Sequence, residues 1–134
     1  MGIAGKGIQG LPSHLKPNKL TIKGEAGYDA FNTVTYNGTT TTVVWTTGNL
    51  QSLTFGAGNI GTLAFTNPTN PGIYILKLIQ DSTGSRTVTA WDSDVLWAGG
   101  TAPTISTGAN DIDIVGFLWD GTNYHNIGVM LNLS

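Results

Sequence analysis

The chain contains no cysteine, which excludes a disulfide scaffold, thiol catalysis and every cysteine-based metal site. Such a chain can fold in a reducing or an oxidising compartment. Charge is also scarce: 10 % of its 134 residues are Asp, Glu, Lys or Arg, against ~25 % in ordinary soluble domains. The net charge of −2 leaves no basic footprint, so neither nucleic acid nor membrane is expected as a partner. The longest apolar run, residues 73–79, is broken by Lys77 and is far too short to cross a bilayer. The first residues lack the continuous apolar run of a signal peptide, and Lys6 stands where a myristoylation signal needs Ser or Thr. No stretch of ten or more residues carries a 3.6-residue period. Helices should be nearly absent.

Threonine and glycine fill the space that charge leaves. Twenty Thr and 19 Gly describe a β-rich chain with many turns, because Thr suits a pleated surface and Gly suits tight turns. From Leu20 onward short strand-like segments alternate with turn signals. The candidates are 20–23, 30–36, 40–46, 50–55, 60–66, 72–80, 85–91, 94–97, 111–119 and 124–133. Between them stand Asn37-Gly38, Gly48-Asn49, Gly56 to Gly58, Asn67-Pro68, Asn70-Pro71, Ser82 to Gly84, Gly99-Gly100 and Asp120-Gly121. This spacing predicts an all-β fold: an antiparallel β-sandwich or jelly-roll-like domain over 20–134. No period of 20–50 residues repeats, which argues against a solenoid. Asp120-Gly121 lies between aromatic-rich segments and is the strongest hairpin signal, suited to a type I′ turn.

Residues 1–19 differ from the rest. Four glycines, two prolines and three lysines surround Ile3, Ile8, Leu11 and Leu15 without any period. Two readings stand: a loose tail, or an extended N-terminal arm whose four spaced aliphatic residues anchor a partner.

Side-chain parity adds detail. In 124–133 the odd positions Ile127, Val129, Leu131 and Leu133 are apolar, which predicts that this face looks inward. Segments 72–80 and 111–119 are apolar on both faces and so need two covers, a second sheet and either the arm or a neighbouring subunit. That surplus predicts a homo-oligomer.

Motifs that could carry chemistry are few. Gly56-x-Gly58-x-x-Gly61 follows an apolar strand, yet the residues after it are too few and too β-like for the helix a dinucleotide site needs, so a hairpin loop is expected. Asp92/Asp94 and Asp111/Asp113 each space two carboxylates on one strand face. Neither pair has the further oxygen ligands calcium requires, and loop or strand-edge solvation is expected. His14 falls in the arm, and His125 sits on the inward parity of its segment as an edge or core histidine. Trp45, Trp91, Trp97 and Trp119 could stack on sugars or fill the core and interfaces; packing is the expected role. No catalytic residue, cofactor or metal ligand is assigned, and an enzyme is not expected.

The stretch Gly72 to Thr89, with its Gln80-Asp81-Ser82-Thr83-Gly84-Ser85-Arg86 turn, resembles a recurrent module of tailed-bacteriophage virion proteins. So do Trp97-Ala98-Gly99-Gly100-Thr101-Ala102-Pro103 and Asp120-Gly121-Thr122-Asn123-Tyr124, which together carry the likeness over roughly residues 60–126. The resemblance implies a structural or attachment role in the virion, assembled in the host cytoplasm. By analogy it suggests a homotrimer partnered by the major capsid protein or another virion protein. A compact domain without a shaft favours a capsid decoration (cement) protein; the alternative is a tail-fibre or baseplate domain that binds a host-surface glycan.

Overall fold

The computed structural model describes residues 23–134. Among these residues nine strands follow one another: β1 (Asn32–Thr33), β2 (Thr40–Val44), β3 (Leu50–Thr54), β4 (Ile60–Thr66), β5 (Gly72–Ile79), β6 (Val88–Trp91), β7 (Val95–Leu96), β8 (Ile112–Trp119) and β9 (Tyr124–Leu133). Every strand candidate from 30 onward is met by a strand; the candidate 20–23 reaches outside the described residues, apart from Lys23. Among the described residues only two short 3₁₀ turns, Trp45–Thr47 and Ala98–Gly100, interrupt the β-structure.

The winding differs from the expected sandwich. Odd strands β1, β3 and β5 lie side by side in one sheet and even strands β2, β4 and β6 in another, all parallel. The chain therefore alternates between two facing sheets and advances one strand per coil. This is a β-solenoid, not an antiparallel jelly roll. The larger sheet, ordered β1-β3-β5-β8-β9-β7, turns antiparallel only where β8 joins β5 and β9 joins β8. The glycine and asparagine signals were rightly placed, but such residues serve a corner between sheets as well as a reversal within one. The coils also vary in length. Asn32 lies opposite Gln51, nineteen residues on, whereas Leu50 lies opposite Ile75, twenty-five on; Thr40 faces Thr62 and Ile60 faces Val88, offsets of 22 and 28. Uneven coils erase the sequence period that would announce a solenoid.

The core fills the space between the sheets. Leu53, Leu76, Val115 and Phe117 project from the larger sheet and Val43, Leu63 and Phe65 from the smaller, all buried. Trp45 packs edge-on against Phe65 and Tyr74, each 5.4 Å between ring centres, and Phe65 repeats that geometry with Tyr124 at 5.0 Å. Packing accordingly accounts for Trp45 and Trp119, which are buried. Trp91 and Trp97 are half-buried and meet edge to face at 4.9 Å.

The parity expected for β9 fails over most of its length. Only Val129 of the four apolar odd positions is even partly buried, while Ile127, Leu131 and Leu133 are exposed. The cause is two register shifts: Gly116 pairs with Gly128 but Phe117 with Asn126, leaving Ile127 an unpaired bulge, and Ile114 pairs with Met130 but Ile112 with Leu133, which interrupts the alternation again around Leu131. His125 is likewise not inward. Tyr124 takes the buried position, and His125 Nε2 lies 2.7 Å from the exposed Asp120 carboxylate.

Candidate functional site

Corners that carry the chain from the smaller sheet to the larger stack on one side of the solenoid. The first, Trp45 to Asn49, is closed by the buried Gln51 amide, which donates to the carbonyl oxygens of Val44 and Gly48 and to the Thr47 hydroxyl. The Asn49 amide donates to Ile73 O at 2.6 Å and so ties this corner to the next coil. In the second corner, the Tyr74 hydroxyl donates to Asn70 O at 2.8 Å. Between the two corners opens a crevice of about 210 Å³, lined by Trp45, Thr46, Asn49, Pro68, Thr69 and Tyr74 among others. An adjoining hollow shares Thr47, Gly48 and Asn49 and is walled by Tyr28, which is 60 % exposed.

Hydroxyls, amides and aromatic edges dominate the crevice, and no formally charged residue lines it. Buried Trp45 keeps an indole N–H without a hydrogen-bond partner among the described residues, a state that costs about 1–3 kcal/mol. Burial raises the Tyr74 hydroxyl above its usual pKa, with nearby Tyr28 adding to the effect, so it stays a neutral donor. A surface of this kind suits a neutral, polyhydroxylated ligand. Sequence reasoning passed over these residues because Gly48-Asn49 and Asn67-Pro68 read as turn punctuation alone. Two Thr/Asn-rich corners about one coil apart were the available signal.

The residues singled out in sequence have other duties. Ile3, Ile8, Leu11, Leu15 and His14 lie outside the described residues. The Gly56 to Gly61 segment is a corner between β3 and β4, not a hairpin loop and not a phosphate cradle. Its glycines admit the Tyr36 ring, which a Cβ on Gly56 would meet at 2.5 Å. Asp92 accepts from the backbone N–H of Phe65 and of Asp94, bracing the β6–β7 corner. Asp113 is buried rather than solvated, and accepts from the N–H groups of Ser106 and Asn132. Asp111 accepts from Gly108 N at 2.7 Å. Among the described residues no three acidic or histidine side chains gather as a metal site.

The motif at residues 80–86 is a structural knot. Buried Gln80 donates to the carbonyls of Arg86 and Ser106 and accepts from Arg86 N. Asp81 accepts from Thr83 and Gly84 N–H groups and takes two bonds from the Arg86 guanidinium, at 3.0 and 2.8 Å. The Arg86 bond holds its carboxyl below the usual range, helped by those backbone N–H groups. At the opposite end the Asp120 carboxylate accepts from the Thr122 and Asn123 N–H groups and the Asp120 N–H donates to Asn123 O, so the expected hairpin exists; of its central residues only Gly121 has positive φ, so the turn is not type I′. Tyr124 is buried, its hydroxyl donating to Asn67 Oδ1; burial and then the Asp92 and Asp94 charges raise its pKa.

These motifs thus pin the solenoid at its corners, and they fall inside a family match. The family described as "Putative phage tail fibre C-terminal domain" matches residues 33–124, about two-thirds of the chain. This chain belongs to that family. The tail-fibre domain is therefore a bacteriophage virion structural module, associated with the virion. The family match reaches well before residue 60, where the sequence resemblance began, and takes in the first coils. No curated protein and no solved structure matches the chain.

Proposed function

We propose that this domain is a non-enzymatic attachment module of a phage tail fibre, and that the crevice between the 45–49 and 67–71 corners receives a host-surface glycan. The family match over residues 33–124 carries the tail-fibre assignment. The neutral lining of hydroxyls, amides and aromatic edges supports a sugar ligand, since sugars offer hydroxyl groups and apolar ring faces. The capsid-decoration reading rested on the lack of a shaft in 134 residues, an argument from extent alone, and the family match favours the fibre. Binding to an array of bacterial surface glycans tests the proposal. The intact chain should bind a restricted set, and Tyr28→Ala or Asn70→Ala should weaken binding at least about tenfold. Copurification with capsid shells at many copies, without glycan binding, would restore the decoration reading.

A further inference from the structure

The two sheets present unlike outer faces. On the smaller sheet the outward rows are Thr40, Thr62 and Ala90, then Thr42 and Ala64, then Val44 and Thr66. That face is hydroxyl-rich and suits water. On the larger sheet aliphatic side chains make up most of the outward rows. One row runs Ile73, Leu118, His125, Leu96 across four strands. The next runs Leu50, Ile75, Gly116, Gly128, with the bulged Ile127 side chain folded over Gly116. Below it stand Ser52, Lys77, Ile114 and Met130, then Thr54, Ile79, Ile112 and Leu133.

We propose that this outer face of the larger sheet is the self-association surface of the protein, buried against the same face of other copies of the chain. Area is the first argument. Seven of its apolar side chains, Phe31 included, remain between 37 % and 58 % exposed. They expose roughly 500–600 Å² together, at the upper end of what a monomer tolerates. The partly buried isoleucines bring the patch toward the ~800 Å² each partner gives to a standard interface. Charge is the second. The rows contain only Lys77 and His125 as ionisable groups, and both are engaged: Lys77 Nζ sits 5.8 Å from the Phe31 ring centre, and His125 meets Asp120. A charged partner finds nothing to pair with, whereas a second neutral face meets no repulsion. The Thr-rich opposite face shows that this chain places hydroxyls outward where a sheet is meant for water. The inference does not depend on which virion part carries the protein or on the glycan crevice.

Light scattering of the full chain at micromolar concentration should give a closed assembly of two or three copies, the trimer being the expectation from the resemblance. The double variant Ile127→Lys/Met130→Lys alters two side chains already 52 % and 58 % exposed, so each subunit should keep its β circular dichroism. It should dissociate at concentrations about a hundredfold higher than the parent. Thr42→Lys, on the opposite face, should leave the assembly intact. A monomeric parent overturns the proposal. So does a double variant that folds and stays assembled, or dissociation caused by Thr42→Lys alone.

Discussion

Single residues decide how tightly the corners close. Gly84 adopts φ +71°, and a Cβ there would lie 2.6 Å from Thr107 O, a backbone atom that cannot step aside. Gly84→Ala should therefore cost about 2–3 kcal/mol in urea unfolding. Gln80→Ala would leave the Arg86 and Ser106 backbone groups unpaired in a buried corner, a loss of about 2–4 kcal/mol by the same measurement. The Asp120 carboxyl is held at about 2, below its ordinary 3.8, first by the Asn123 N–H and then by His125 and Thr122. Its folded pKa is depressed, so its contribution is complete above about pH 4 and is lost as pH falls through about 2. Carbon NMR of the Asp120 carboxyl should show a titration midpoint near that value, and a midpoint near 4 would contradict the loop geometry.

At the scale of elements, strand position was legible and strand partnership was not. Runs such as Thr40–Val44 and Gly72–Ile79 announce themselves by β-branched and aliphatic residues between turn signals, and the structure places strands there. Whether Asn37-Gly38 or Gly56 to Gly58 reverses the chain or carries it to the facing sheet depends on packing far from the turn. Tyr36 shows this. Its ring fills the slot made by Gly38, Gly56 and Gly58, so one aromatic residue locks two successive corners. Tyr36→Ala should cost about 2–3 kcal/mol and speed amide exchange at residues 56–59. The bulge at Ile127 was illegible for a related reason. It depends on cross-strand pairing with β8, which no local pattern in β9 reveals.

For the whole molecule, the sequence carried the virion class through its motifs at 80–86 and 120–124, and these prove to be fold-holding rather than site-forming. The surplus of apolar residues in 72–80 and 111–119 was also legible, and the structure shows which side of each strand faces the core and which is exposed. The crevice proposed to receive a glycan was not, because it is assembled from two corners that only the winding brings together. We propose that residues 1–19, which lie outside the described residues, serve as a partner-binding arm. Their deletion should leave the 23–134 fold and self-association unchanged while abolishing incorporation into virions, as read by mass spectrometry of purified particles. The central claim, that the domain works on a tail fibre, is tested most directly by electron cryomicroscopy of the intact virion with the protein labelled. The account predicts label on the tail fibres and none on the head; label spread over the capsid lattice would contradict it.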